Sequence, residues 1–219
     1  MTPLVLLDLD GTLTDSAPGI TSSIAETYRT LQLPVPSPAA LRSFVGPPIT
    51  TSFTAHGIPP ELMTDAVRLY REVFVDRMVS GNRVYDGIPE TLRALRTAGL
   101  RLVVATSKPE VYARPICEAF GLTDLVDGVF GAPLDESTST KAQVIASALA
   151  ANPDAGPVLM VGDREHDVHG ARAHGIDTIG VTWGYAAPGE LASAGAVEQV
   201  DSPAELTAAI LRRLVPAAA

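Results

Sequence analysis

Cysteine and long apolar runs are the clearest absences from this sequence. Cys117 is the only cysteine among 219 residues, which excludes an intramolecular disulfide framework and suits a reducing compartment. No stretch approaches the roughly 18 consecutive apolar residues that a membrane-spanning helix needs, and Met1 to Pro3 lack the basic start of a signal peptide. The sequence therefore predicts a cytoplasmic protein with no membrane partner.

Positive charge is scarce as well. Lysine and arginine together number 16 against 25 aspartate and glutamate residues, so the formal net charge at pH 7 is −9. A nucleic-acid polymer is an unsuitable partner for such a chain, because its phosphate backbone binds to basic protein surfaces. An anionic substrate would need local cations or a metal. The two lysines, Lys108 and Lys141, are candidates for that role, although an arginine-rich codon bias equally explains why lysine is rare.

Short apolar runs alternate with helical patterns over most of the chain. Because these runs are nearly continuous, they are typical of parallel strands covered on both faces; they are Leu4 to Leu7, Leu102 to Ala105, Val158 to Val161 and Thr178 to Val181. Helix signals occupy the intervals between them, at Pro89 to Thr97, Pro109 to Phe120 and Thr140 to Ala151. The alternation predicts an α/β fold with a doubly wound parallel sheet.

One region interrupts this alternation. From about Ala17 to Val79 no strand pattern is present, and helical patterns such as Ile20 to Leu31 and Glu61 to Met78 are separated by prolines. Turn-forming residues flank the region at Asp15-Ser16 and at Ser80 to Asn82. The sequence therefore predicts an all-helical insertion between the first strand and the rest of the sheet.

Acidic residues follow the predicted strands. Asp8 and Asp10 come directly after the first strand, and Asp163 and Asp167 follow the strand that ends at Val161. In an open parallel sheet, ligands bind beyond the carboxyl ends of the strands, so these carboxylates should lie together where chemistry occurs. Singly, each is as well explained as a helix cap or a turn residue; their convergence favours a functional site.

These motifs resemble those of haloacid dehalogenase superfamily phosphatases. Asp8 to Leu13 is similar to the first motif of that family, Thr106 to the second, Lys141 to the third, and Gly162-Asp163 with Asp167 to the fourth. The resemblance spans nearly the whole chain. It implies a Rossmann-like core of residues 1–14 and 83–219, with a helical cap of residues 15–82.

The resemblance also implies a magnesium-dependent reaction at the first two aspartates. Asp8 would be the nucleophile and form an aspartyl phosphate, while Asp10 would act as general acid and base. Mg²⁺ would be held by Asp8, by the main-chain carbonyl of Asp10, by Asp163 and, through water or hydrogen bonds, by Asp167.

The remaining site residues are implied in the same way. Thr106 and Lys141 would complete the catalytic set by binding the transferring phosphoryl group. Substrate contacts are expected from the strand ends and from one residue of the cap; the candidates are Gly11, Thr12, Ser107, Lys108 and Gly46. For Lys108, substrate binding and a place at the rim are equally supported.

The substrate expected from the resemblance is a small-molecule phosphate ester. The cap segment Phe44 to Ile49 and the residues Thr182 to Tyr185 are similar to a 5′-nucleotidase-like branch, and a phosphoglycolate phosphatase branch shares much of the pattern. Lys141 is followed by Ala142-Gln143 where the family often has Lys-Pro-x-Pro, which favours the nucleotidase-like branch. A sugar phosphomutase or a phosphate-binding regulatory module stays open, as does a monomer or a homodimer.

Overall fold

The protein is described by a computed structural model that covers residues 1–134 and 140–215. Its strands are β1 Thr2–Leu7, β2 Thr14–Asp15, β3 Arg83–Val84, β4 Arg101–Pro109, β5 Gly128–Ala132, β6 Ala155–Gly162, β7 Asp177–Val181 and β8 Glu198–Val200. Its α-helices are α1 Ala17–Thr30, α2 Pro38–Arg42, α3 Ile49–Ala55, α4 Met63–Arg77, α5 Ile88–Thr97, α6 Glu110–Ala119, α7 Lys141–Ala150, α8 Glu165–Arg172, α9 Glu190–Ala194 and α10 Pro203–Leu214. The chain forms two compact units: Met1–Thr14 with Val84–Ala219, here called the core unit, and Asp15–Arg83, here called the helical unit.

The core unit is built on a parallel sheet with the strand order β5-β4-β1-β6-β7-β8. β1 lies between β4 and β6, with Leu4 opposite Arg101 on one side and Val158 on the other. Because the sheet is covered on both faces, Leu4, Val5, Leu6 and Leu7 are all buried, as expected for a continuous apolar run. The predicted doubly wound α/β fold is confirmed.

Side chains from the sheet and from α7 form one of the apolar clusters of the core unit. Leu4 and Leu6 of β1 point to the same face, because residues two apart on a strand share a side. They pack in a cluster that includes Val144, Ile145 and Ala148 of α7. The cluster fixes α7 against the sheet, and with it the residue that begins this helix, Lys141.

The four predicted strands are present, and two further strands of the six-stranded sheet, β5 and β8, were not predicted, nor was the short pair β2 and β3. β5 was missed because Gly128 and Gly131 interrupt its apolar pattern, and β8 because it has only three residues. β4 is longer than predicted: it continues past Ala105 to Pro109, with an irregular register against β5 between these two residues. The predicted strand end at Ala105 was therefore wrong, since Thr106 to Lys108 belong to the last part of the strand.

The helical unit contains α1 to α4, and its interior is aromatic. Phe53 makes edge contacts with Tyr28, Phe44 and Tyr70, at centroid distances of 6.1, 5.9 and 6.2 Å. Edge-to-face arrangements of this kind add stability beyond the buried area. Phe53 is fully buried, so the unit has an apolar centre of its own.

Two glycines bring the ends of the helical unit together. The N–H of Gly19 in α1 donates to the carbonyl of Gly81 at 2.8 Å. A Cβ on Gly81 would lie 2.5 Å from the Cα of Gly19, so this backbone approach requires glycine.

None of the helices in the described part of the chain is long and apolar enough to cross a membrane.

Candidate active site

The carboxyl ends of the central strands meet at one edge of the sheet in the core unit. The strand order reverses at β1, because β4 and β5 lie on one side of it and β6 to β8 on the other. Ligands of doubly wound sheets bind at such a switch point. Asp8 leaves β1 there, with its N–H bonded to the carbonyl of Val161, and Asp163 follows β6.

Three buried carboxylates form the centre of the candidate site. One oxygen from each of Asp8, Asp163 and Asp167 lies within 4.8 Å of the others. Asp8 is 8% exposed, Asp163 is fully buried and Asp167 is 2% exposed. Carboxylates are rarely buried together unless cations compensate for their charge.

Lys141 supplies part of that compensation. Its Nζ lies 2.6 Å from Oδ1 of Asp8 and 2.7 Å from Oδ1 of Asp167. Lys141 begins α7, whose first turn is held by a capping box between Thr140 and Gln143. Gly170 of α8 leaves space for its stem, since a Cβ there would lie 2.8 Å from Cγ of Lys141. The side chain is therefore directed into the acidic cluster.

Lys108 and Asp10 form a second ion pair. Nζ of Lys108 lies 2.6 Å from Oδ2 of Asp10, and the Lys108 side chain is only 5% exposed. The main-chain N–H of Lys108 donates to Oγ1 of Thr106 at 3.2 Å, so the backbone of Lys108 holds the buried hydroxyl of Thr106. Oδ1 of Asp10 is buried without a hydrogen-bond partner. An acceptor in that state is available to a ligand proton or donor.

Asp163 is fixed by hydrogen bonds and by tight packing. Its Oδ2 accepts from the N–H of Tyr185 at 2.7 Å, and its Oδ1 accepts from Oγ1 of Thr12 at 3.4 Å. A Cβ on Gly11 would lie 2.2 Å from Oδ2 of Asp163, and one on Gly184 would lie 2.3 Å from the same atom. The two glycines leave room for this carboxylate and no more.

Gly162 has a similar relation to Asp167. A Cβ on Gly162 would lie 2.2 Å from Cγ of Asp167. Oδ2 of Asp167 accepts from the N–H of Arg164 at 3.1 Å, which leaves Oδ1 directed at Lys141. The turn Gly162 to Asp167 thus presents two carboxylates, Asp163 and Asp167, to the same point.

The electrostatics of the cluster favour a bound cation. Burial, together with the nearby carboxylates of Asp167 and Asp10, raises the pKa of Asp8 to about 6, against the opposing effect of Lys141. Burial also raises the pKa of Asp163 well above its ordinary value, as do Asp167 and Asp8. For Lys141, burial works to lower the pKa, but the carboxylates of Asp167 and Asp8 outweigh it and raise the pKa.

The residues of this cluster fit a divalent metal ion. Four carboxylates, Asp8, Asp10, Asp163 and Asp167, face two ammonium groups, so two negative charges stay unbalanced when all are ionised. Hard oxygen ligands at this spacing are the donor set that Mg²⁺ prefers. A divalent ion would remove the repulsion that raises the pKa values of Asp8 and Asp163.

The structure brings together most of the residues that the sequence singled out. The acidic cluster and the two lysine pairs include Asp8, Asp10, Lys108, Lys141, Asp163 and Asp167, with Thr12 and Thr106 hydrogen-bonded beside them. Ser107 is half-buried next to Lys108 on β4. Gly46 belongs to the helical unit.

Three contributors to the site were missed. The main-chain N–H of Tyr185 binds Asp163, the indole N–H of Trp183 donates to the carbonyl of Thr12 at 3.1 Å, and Glu190 binds the segment after Asp163. A usable signal was present, since these residues follow the strand Thr178 to Val181 at the same edge of the sheet. Tyr185 acts through its main-chain N–H, which residue type does not reveal.

A parallel sheet with a buried acidic triad and a lysine at its carboxyl edge defines a class of hydrolases. The family model of haloacid dehalogenase-like hydrolases matches residues 5–181. The chain belongs to that family, as its motifs predicted.

Several relatives are similar over most of this chain. The tyrosine-protein kinase PtkA of Mycobacterium tuberculosis is 46% identical over 183 residues, which are 83% of this chain and 62% of that protein, so this chain spans less than two thirds of its length. A 5′-nucleotidase of Pseudomonas aeruginosa is 40% identical over 86% of both chains. Proteins named phosphoglycolate phosphatase also match.

A solved structure matches almost the entire chain. The crystal structure of a protein described as a predicted phosphatase, from Clostridium acetobutylicum, is 42% identical and has a TM-score of 0.89. The match covers 96% of this chain and 99% of that one. The similarity therefore includes the helical unit as well as the core unit.

Proposed function

We propose that this protein is a magnesium-dependent phosphatase, which hydrolyses a small-molecule phosphate monoester through an aspartyl phosphate on Asp8. The observation that carries the proposal is the buried triad of Asp8, Asp163 and Asp167, with Lys141 bonded to two of its members. A surplus of buried negative charge at the end of β1 lowers the stability of the fold, so folding does not explain its presence. It is accounted for if the site has to hold a cation beside a nucleophilic carboxylate.

The metal ligands in this proposal are the side chains of Asp8 and Asp163 and the main-chain carbonyl of Asp10, with Asp167 in support. When bound, Mg²⁺ supplies charge neutralisation between the anionic ester and the anionic nucleophile. The chain's own contribution is a fixed set of oxygens, since Asp163 is held by Tyr185 and Thr12. We therefore assign Thr12, together with Gly11, to the support of Asp163.

Two carboxylates of the chain carry out the chemistry. An oxygen of Asp8 bonds to phosphorus as the bond between phosphorus and the ester oxygen breaks, and the leaving oxygen takes a proton from the carboxyl group of Asp10. Asp10 then accepts a proton from a water molecule, whose oxygen bonds to phosphorus. The acyl–phosphate bond breaks, and orthophosphate and the Asp8 carboxylate are released.

Lys108 has a positioning role in this scheme. Its ammonium group binds Oδ2 of Asp10 at 2.6 Å, while the other oxygen of Asp10 has no protein partner. The ion pair thus holds Asp10 in one orientation and leaves Oδ1 for the proton transfers. This assignment replaces a direct role for Lys108 in binding substrate.

Lys141 and Thr106 would bind the transferring phosphoryl group. Lys141 already contacts Asp8 and Asp167, so its charge is available where negative charge develops on the phosphoryl oxygens. The hydroxyl of Thr106 is buried beside Lys108, and Ser107 adjoins it on the same strand. Both hydroxyls are suited to donate to phosphate oxygens.

The helical unit, predicted as a cap of residues 15–82, is proposed to select the substrate. Gly46 has a φ of +111°, a conformation that favours glycine, so the turn from Gly46 to Pro48 has a shape that other residues would strain. A 5′-nucleotide is the favoured substrate, supported by the nucleotidase relative and by Ala142-Gln143 after Lys141. Phosphoglycolate is the alternative. A cytoplasmic location is supported by the free, buried Cys117.

The test is release of orthophosphate from p-nitrophenyl phosphate, 5′-nucleotides, sugar phosphates and phosphoglycolate. We expect Mg²⁺-dependent release that EDTA abolishes reversibly and that Asp8→Asn abolishes with the fold intact. Asp154→Asn, which changes an exposed aspartate of the core unit, is the matched control and should retain full activity. Full-speed release by Asp8→Asn, or in metal-free buffer, would contradict the proposal. Transfer between sugar positions without orthophosphate release would indicate a phosphomutase.

A second candidate is protein-tyrosine phosphorylation, which is the activity in the name of the Mycobacterium tuberculosis relative. That protein is longer than the matched region, so the name alone carries little weight for this chain. Incubation with ATP and a tyrosine-containing protein, followed by detection of phosphotyrosine, separates this activity from hydrolysis.

A further inference from the structure

Asp163 depends on two separate loops. One is the turn after β6, where Arg164 and Glu165 follow Asp163 directly. The other is the segment after β7, in which the N–H of Tyr185 donates to Oδ2 of Asp163 at 2.7 Å. A relative displacement of these loops would break that bond or move the carboxylate.

The carboxylate of Glu190 joins these two loops. Its Oε1 accepts from the N–H of Glu165 at 2.9 Å and from Nε of Arg164 at 2.7 Å. Its Oε2 accepts from the N–H of Ala187 at 2.9 Å, two residues beyond Tyr185. The side chain of Glu190 is 12% exposed and that of Arg164 is 17% exposed, so solvent weakens these bonds little.

We propose that Glu190 is a positioning residue for the metal site: it fixes the turn after β6 against the segment after β7, and so holds Asp163 at the metal. The inference rests on the proposed function. Glu190 touches neither substrate nor metal in this assignment, and acts through Asp163 alone. Outer partners of metal ligands commonly set affinity in this way.

The bonding pattern requires a carboxylate at position 190. Three N–H groups donate to its two oxygens. Replacing either oxygen with a donor group would therefore break at least one of these hydrogen bonds. Glutamine would place an NH₂ group against at least one N–H, whichever way its amide is turned. Burial acts to raise the pKa of Glu190, but the N–H groups of Glu165 and Ala187 and the Arg164 guanidinium outweigh it, so the pKa is lowered and the acceptor state is favoured.

The test compares Mg²⁺ binding by three full-length variants with that of the wild type. Glu190→Ala and the milder Glu190→Gln remove all or part of the bridge. Glu198→Ala is the matched control, because Glu198 likewise accepts from arginine side chains, those of Arg212 and Arg213. Glu198 is the first residue of β8, and its ion pairs do not include the triad. Isothermal titration calorimetry with Mg²⁺, and the Mg²⁺ dependence of the melting temperature, read out affinity without turnover.

We expect Glu190→Ala to weaken Mg²⁺ binding by roughly 10- to 100-fold and Glu190→Gln by a smaller factor. Glu198→Ala should bind Mg²⁺ as the wild type does, even if it lowers stability by a similar amount. At saturating Mg²⁺, the KM of Glu190→Gln for p-nitrophenyl phosphate should be unchanged, because the residue does not contact the ester.

Two different results would count against two different claims. If the wild type binds Mg²⁺ and both Glu190 variants bind it equally well, the role of Glu190 is wrong and the phosphatase assignment stands. If the wild type itself binds no Mg²⁺ and releases no phosphate, the proposed function is wrong and the inference about Glu190 falls with it. Equal weakening in Glu198→Ala would show a general effect of stability, and would also overturn the inference.

Discussion

Removal of the Asp8 charge should stabilise the metal-free protein. Burial raises the pKa of Asp8 from 3.8 to about 6, so the ionised carboxylate is disfavoured in the folded state. Each pKa unit corresponds to about 1.4 kcal/mol, so the ionised group costs the folded protein roughly 3 kcal/mol at neutral pH. Asparagine has nearly the same shape without the charge. Asp8→Asn should therefore raise the free energy of unfolding by up to this amount while it abolishes activity.

The gain should depend on pH in a defined direction. A carboxyl group whose pKa is raised by folding binds its proton more tightly in the folded state, so stability falls as the pH rises from 3.8 towards 6. The gain of Asp8→Asn should thus be complete above pH 6, decline to roughly 1.5 kcal/mol near pH 5, and vanish below about pH 4. With Mg²⁺ bound, the wild type should be more stable than Asp8→Asn, because Mg²⁺ stabilises only the protein that keeps the Asp8 ligand.

The assay is urea denaturation in EDTA, followed by the fluorescence of Trp183, the only tryptophan. Asp154→Asn is the control, since the hydrogen bond from Arg101 lowers the pKa of Asp154. Neutralising Asp154 should therefore lower the free energy of unfolding, whereas neutralising Asp8 should raise it. A metal-free Asp8→Asn protein that is less stable than the wild type at about pH 7.5 would refute the reasoning. So would a gain that is the same at every pH.

Three further changes test single contacts of the site. Lys108→Met should lower kcat by roughly 10- to 100-fold with a smaller effect on KM, because Asp10 loses its orientation; steady-state kinetics at saturating Mg²⁺ measures it. Gly184→Ala should weaken Mg²⁺ binding by about 10-fold or more in calorimetry, since its Cβ would lie 2.3 Å from the carboxylate of Asp163. Trp183→Phe removes an indole hydrogen bond and should cost about 1 kcal/mol in urea denaturation followed by circular dichroism.

Each of these three expected outcomes could be contradicted by a specific result. A Lys108→Met enzyme with normal kcat and raised KM would return Lys108 to substrate binding. Gly128→Ala is the control for Gly184→Ala, because its Cβ would meet only the ring of Phe130, which can move. If both glycine variants bind Mg²⁺ equally, the tight packing at Asp163 is irrelevant to the metal. Unchanged stability of Trp183→Phe would mean that Thr12 is held by other contacts.

The sequence was sufficient for the four central strands of the sheet and for the edge at which the acidic residues lie. Continuous apolar runs such as Leu4 to Leu7 need cover on both faces, and a parallel sheet provides it. Once strands are parallel, their carboxyl ends share one edge, so Asp8 and Asp163 were expected at that edge. They are neighbours because β6 pairs directly with β1. The triad could therefore be anticipated, although its distances could not.

Other parts of the site were not predictable from residue types. The bond from the N–H of Tyr185 to Asp163 involves a backbone group, which every residue but proline carries. The pairing of Lys108 with Asp10 depends on the irregular end of β4, since the register shift between Ala105 and Pro109 sets where that side chain is directed. Such local departures from regular pairing leave no pattern in the sequence.

The partners in this site are far apart along the chain. Lys141 and Asp8 are separated by 133 residues, and Thr12 and Asp163 by 151. During synthesis on a ribosome, Asp8, the proposed nucleophile, emerges well before Lys141 and Asp163, so it lacks these partners until β6 and the turn after it have been made and inserted beside β1. Under the proposed function, Mg²⁺ binding would report finished folding, because a nascent or truncated chain that stops before Asp163 lacks one of the three carboxylates of the site.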